Sequence, residues 1–192
     1  MASPHMTLPA PSTASLPRRL HKGPPPPVLA GLINRLDRCP GPIPIDVLRR
    51  ELAALDLTPA DLGTTIQSDA GAYVRTLVHQ APHYELLVMC WMPNQHSPIH
   101  DHGGSACAVR VVTGRATETV YSMDDDGLVE PVGQSVFPPR GVVCSHDADI
   151  HCLGNLPVPG EDADAPLVTV HIYSPVLGAC RKYTPRTPAA VA

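Results

Sequence analysis

At Ala72 the chain changes its hydrophobic period. Val28, Leu29, Leu32, Ile33 and Leu36 make one stripe at helical spacing, and Val47, Leu48, Leu52 and Leu55 make a second with Asp46 near its start. Thr58-Pro59-Ala60-Asp61 reads as an N-cap followed by proline in the first helical position, opening a short third helix before Gly63. From Ala72 onward the period is two and the segments shorten: residues 72–78, 84–91, 107–112, 116–121 and 167–173 all read as strands. Gly103-Gly104, Asp126-Gly127, Pro138-Pro139 and the segment Pro157 to Gly160 separate them. A helical preface followed by many short strands predicts a mainly β sandwich or barrel with helices packed on one side.

Composition supports that choice. Only 4% of the 192 residues are aromatic, so the core rests on Leu, Val, Ile and Ala, and 24 prolines demand turns and strand edges. The length suits one domain. Residues 1–24, rich in Pro, Ser, Ala and Thr and ending in the Gly23 to Pro27 run, are expected as a loose tail; residues 25–192 are expected as one domain, with helices over about 28–64 and the barrel over about 72–184.

A net charge of −4, with twelve Arg and two Lys scattered along the chain, argues against a nucleic-acid partner. No segment has the apolar length of a membrane span or a signal peptide, so no membrane partner and a cytoplasmic location are expected. The six cysteines show no CxxC spacing and read as reduced thiols. A monomer is expected.

Ten histidines carry the chemistry. In Ser97-Pro98-Ile99-His100-Asp101-His102 the two imidazoles lie two residues apart on extended chain, so they point to one face with Cα atoms about 7 Å apart, a span that one metal ion can bridge. Asp101 points the other way and reads as structural. Four residues separate His102 from Cys107, and six more lead to Gly114. This resembles the first motif of the cupin superfamily, with Cys107 where that motif usually carries a metal-binding Glu. The second motif, closing on His-x-x-x-Asn, is matched by His151-Cys152-Leu153-Gly154-Asn155, preceded by Pro139-Arg140-Gly141. His146 is the rival third ligand, but Ile150 stands where the Asn belongs. Asn94 in place of a Gly before the first His, and a long gap from Gly141 to His151, depart from the pattern. Three neutral imidazoles with no protein anion suit Fe, Zn, Cu or Ni, and open positions on one face suit a ferrous oxygenase. Such a centre favours a thiolate, because coordination deprotonates a thiol.

Three further segments resemble the cysteine dioxygenase family, from about Tyr73 to Cys180. Tyr73-Val74-Arg75-Thr76-Leu77-Val78 resembles the strand whose Arg holds the substrate carboxylate. Leu87 to Trp91, leading into the His-x-His segment and Ser105-Ala106-Cys107, resembles the metal strand with the cysteine that in some members is thioether-linked to a tyrosine. Thr169-Val170-His171-Ile172-Tyr173-Ser174-Pro175 resembles the Ser-x-His-x-Tyr-Ser-Pro signature, with Thr169 in place of Ser. The resemblance implies a cupin-type β-barrel (a double-stranded β-helix or jelly roll) and one Fe(2+) per chain on His100, His102 and His151. It implies addition of both atoms of O2 to the sulfur of L-cysteine, giving cysteine sulfinic acid. It assigns substrate contacts to Arg75, Tyr73 and Cys180, and catalytic roles to Thr169, His171, Tyr173 and Cys107, the last as cross-link partner of Tyr173. Thr169, His171 and Tyr173 alternate, so they share one face of a strand and can form a hydroxyl–imidazole–phenol relay. His79, His83 and His96 carry no such pattern, and Trp91 reads as packing beneath the metal strand. A dioxygenase for 3-mercaptopropionate or mercaptosuccinate, and a non-catalytic cupin sensor, are the alternatives.

Overall fold

The computed structural model describes residues 18–146, 149–158 and 165–186. Helix α1 (Pro27–Leu36) starts on a proline, which lacks only a donor that the first turn leaves unused, and it buries Leu29, Leu32, Ile33 and Leu36. Helix α2 (Ile45–Ala53) buries Leu48 and Leu52. In α3 (Pro59–Leu62) the Asp61 carboxylate accepts from both the backbone N–H and the hydroxyl of Thr58, each at 2.7 Å, so the expected cap is formed.

The described strands are β1 (Arg19–Leu20), β2 (Val74–Ala81), β3 (Tyr84–Trp91), β4 (Ala106–Thr113), β5 (Ala116–Met123), β6 (Val129–Phe137), β7 (Val142–Ser145), β8 (Ile150–Gly154) and β9 (Leu167–Ser174). They form a six-stranded sheet in the order β1-β2-β3-β9-β4-β7 and a three-stranded sheet in the order β6-β5-β8. Apart from the parallel pair β1–β2, every strand pair is antiparallel. The two sheets face each other in the jelly-roll manner, without closing into one continuous barrel.

Strands β3 and β9 are buried at every position, because the large sheet is covered on both faces. Its outer face takes Leu86, Val88, Val170 and Ile172 against Leu29, Leu32, Leu36, Leu48 and Leu52 of the helices. Its inner face takes Leu87, Met89, Trp91, Val109 and Val111, packed with Leu153 and Ala116 of the small sheet. Apolar side chains buried on both faces erase the alternation seen in a half-exposed strand and produce the continuous run Tyr84 to Trp91. Gly114, in the turn between β4 and β5, has φ +77° and would place a Cβ 2.8 Å from the Leu167 Cα, so this position of the first motif admits no side chain.

Of the segment expected as a loose tail, residues 1–17 lie outside the described residues, while Arg19 and Leu20 add a parallel edge strand to β2, with Arg19 beside Thr76 and Leu20 beside Leu77. No helix among the described residues is long and apolar enough to cross a membrane.

Candidate metal centre

The three histidines arrive from two neighbouring stretches of backbone. After Trp91 the chain runs irregularly beside β8: the Ser97 N–H donates to the Leu153 carbonyl at 2.8 Å, and His100 and His151 exchange backbone hydrogen bonds of 2.9 and 3.0 Å. That pairing sets His100 directly opposite His151, and His102 follows two residues on. One ring nitrogen of each of the three lies within 4.8 Å of the others. His146, the rival, is exposed and outside this group; its N–H donates to the Asp149 carboxylate at 2.7 Å.

Hydrogen bonds select the tautomers. His100 Nδ1 donates to the Pro98 carbonyl at 2.9 Å, and His151 Nδ1 donates to Glu118 Oε1 at 2.7 Å. Each therefore presents an Nε2 lone pair to the interior. His151 Nε2 lies 3.2 Å from His102 Nε2. Two nitrogens bound about 2.1 Å from one ion at right angles stand about 3 Å apart, so this separation fits a shared cation. Burial, reinforced by mutual repulsion among the three rings, pushes His100 down to about 4 and His102 to about 3. His100 and His102 are thus neutral donors at physiological pH, as metal ligation requires. His102 Nδ1 makes no hydrogen bond of good geometry, although the His146 backbone faces it and favours its protonated form. Asp101 points away from the centre, accepting from the Gly103 and Arg181 N–H groups and the Tyr183 hydroxyl at 3.1, 3.0 and 2.8 Å. It is the structural brace of the turn that carries its two histidine neighbours.

The wall facing the histidines comes from the large sheet. Thr169, His171 and Tyr173 do form a relay: Thr169 Oγ1 to His171 Nε2 is 2.8 Å, and His171 Nδ1 to the Tyr173 hydroxyl is 3.2 Å. Trp91 Nε1 donates to Thr169 Oγ1 at 3.0 Å. Trp91 fixes Thr169 Oγ1 as an acceptor; in the tautomer where the Thr169 hydroxyl donates to His171 Nε2, the His171 Nδ1–H donates to the phenol oxygen and leaves the Tyr173 O–H to point elsewhere. Cys107 sits opposite Tyr173 across the β4–β9 pair, with thiol and phenol in contact. Burial drives the Cys107 thiol far above its ordinary range, so it is a protonated thiol rather than a thiolate. Arg75, Tyr73, Cys180, Leu177, Met89 and Lys182 complete the lining of the same cavity, which also holds all three histidines.

Two further residues belong here, one read chiefly as packing and one that the sequence did not single out. Trp91 is a cavity wall as well as packing, stacked on Tyr73 with ring centroids 4.2 Å apart and feeding the relay. Glu118 supplies a buried carboxylate to a ligand set without one of its own. A glutamate inside the otherwise strand-like Ala116 to Tyr121 segment was the available signal.

The family model for cysteine dioxygenase type I matches residues 45–186, most of the chain. The chain belongs to this family. Similar proteins include the cysteine dioxygenase type 1 of Danio rerio, 28% identical over 149 residues that cover 76% of this chain and 72% of that one. The Homo sapiens protein of the same name is 27% identical over 147 residues, covering 74% and 71%. Among solved structures, a Klebsiella pneumoniae protein with a double-stranded beta-helix domain overlaps at TM-score 0.48 and 14% identity, covering 62% of this chain and 86% of that one. Family membership and the three-histidine site make the chain a metal-binding dioxygenase, an oxidoreductase.

Proposed function

We propose that the chain is a ferrous thiol dioxygenase acting on L-cysteine, with one Fe(2+) held by His100, His102 and His151. The observation that carries this reading is the pairing, in one cavity, of three converging imidazoles with an arginine and a phenol on the opposite wall. When bound, the ferrous ion supplies a coordination site for the thiolate and the electron transfer that lets dioxygen react. The overall reaction conserves every atom, since a thiol and one O2 give a sulfinic acid.

The chain's own residues bind and orient. Arg75 offers a planar, permanently charged fork to the substrate carboxylate, and the Tyr73–Trp91 stack walls it in. Tyr173, its phenol kept protonated by burial and oriented by His171, donates toward the carboxylate or the incoming oxygen. Cys107 sits where a thioether to Tyr173 would fix that ring. Cys180 and Leu177 close the side of the cavity.

Turnover of a thiol panel tests the reading. The iron-loaded protein is expected to consume oxygen with L-cysteine in preference to 3-mercaptopropionate, mercaptosuccinate and cysteamine, and Arg75→Ala is expected to raise KM for L-cysteine about ten- to a hundredfold, the value of one charge-assisted bidentate contact. Preference for another thiol acid overturns the substrate, and absence of uptake with every thiol favours a non-catalytic binding role.

A further inference from the structure

We propose that Arg18, which lies upstream of the matched family region, is a positioning residue that keeps Arg75 free for the substrate by occupying Glu85. The proposal rests on the reading that Arg75 receives a substrate carboxylate.

Glu85, the second residue of β3, has 0% exposure. Alternation along β3 turns it to the same face as Leu87, Met89 and Trp91, and it is the direct cross-strand neighbour of Tyr173. It therefore stands on the cavity side of the sheet. An ionised carboxylate so placed needs a cation beside it. Arg18 pairs with Oε2 and the Leu177 backbone N–H also favours the charged carboxylate, while Oε1 makes no hydrogen bond of good geometry. Arg18 also donates to the carbonyl of Leu177, a cavity-lining residue, at 3.3 Å.

Register brings in the second arginine. Strand β1 runs parallel to β2 with Arg19 beside Thr76, so Arg18 comes one residue earlier, beside Arg75. That register turns both arginines toward the inner face, and Glu85 feels the charge of both. With Arg18 in place, the Glu85 charge is compensated and the Arg75 fork is left for a ligand. Without Arg18, the same buried carboxylate has Arg75 as its remaining charge partner, and the substrate must displace it.

A mutant cycle on the iron-loaded full-length protein decides the matter, with L-cysteine and cysteamine compared because cysteamine lacks a carboxylate. Arg18→Ala is expected to raise KM for L-cysteine about tenfold, with kcat, iron content and the KM for cysteamine held. Arg18→Lys, which keeps the charge, should stay within about threefold of wild type, and Arg18→Ala/Glu85→Gln should return to that range because the competing anion is gone. An unchanged KM in Arg18→Ala overturns the proposal, as does a double variant as impaired as Arg18→Ala. If Arg75→Ala fails to discriminate the two thiols, the carboxylate reading itself falls and takes the proposal with it. Discrimination by Arg75→Ala alongside an inert Arg18→Ala removes the proposal alone.

Discussion

Glu118 brings a negative charge to a metal centre whose three ligands are neutral. Its 2.7 Å contact fixes the His151 tautomer and makes that imidazole a stronger donor, and burial of both partners keeps solvent from screening the effect. Glu118→Gln can still accept the hydrogen bond but carries no charge, so it should bind metal about 10- to 100-fold more weakly without unfolding. A competitive chelator titration of the apoprotein with ferrous or zinc ion measures this, and an unchanged affinity contradicts it. Replacing any one of His100, His102 and His151 with alanine should abolish metal retention through desalting, whereas His146→Ala should retain it. Metal lost from His146→Ala and kept by His151→Ala would exchange the third ligand. These residues differ in how far the sequence reveals them. His100 and His102 are legible from a two-residue spacing, and His151 from its resemblance to the cupin motif that ends in an asparagine four residues beyond the histidine. Asn155 earns that place structurally, donating to the Trp91 and Ala165 carbonyls at 3.1 and 3.0 Å. Glu118 has no such punctuation, because its partner lies 33 positions away.

At the scale of elements, the inner and outer faces of the large sheet divide the labour. The inner face of β9 carries the relay, and the outer faces of β3, β4 and β9 carry the helices. Arg110 on β4 ties the two together: it is 5% exposed and donates to the Arg140 and Leu55 carbonyls at 2.8 and 2.9 Å and to the Ala53 carbonyl at 3.4 Å. It thereby satisfies acceptors at and just beyond the C-terminus of α2, where a helix leaves its last carbonyls without partners. Arg110→Met keeps the packing volume but strands those carbonyls, and should cost about 1–3 kcal/mol. For a chain of this size that is a fall of several degrees in Tm, at about 2–4 °C per kcal/mol. Calorimetry that shows no loss would remove the bracing role. Strand β6 was not legible in advance, since Glu130 through Val136 are exposed and Pro131 and Gly133 interrupt any alternation. The short strands β7 and β8 escaped for another reason. With 4 and 5 residues, they offer too few positions to establish a period.

In the whole molecule, chemistry is assembled across the gap between two sheets. The metal ligands lie on the small sheet and the irregular chain beside it, while Arg75, the relay and Cys107 belong to the large one. Only packing of one sheet on the other, through Leu87, Met89, Val109 and Leu153, brings donor set and substrate wall together. Motifs that resemble those of the family made the membership of each wall readable. They could not reveal that Arg18, from the segment expected as a loose tail, pairs with buried Glu85 and with the carbonyl of cavity-lining Leu177, since that contact depends on a parallel edge pairing. In the proposed reaction this cavity adds both atoms of one dioxygen to a thiol. Its most direct measurement is turnover of L-cysteine by the iron-reconstituted protein under isotopically labelled dioxygen in unlabelled water, with mass spectrometry of the product. Cysteine sulfinate carrying two labelled oxygens is the predicted result; cystine, or sulfinate with oxygen drawn from water, would contradict it.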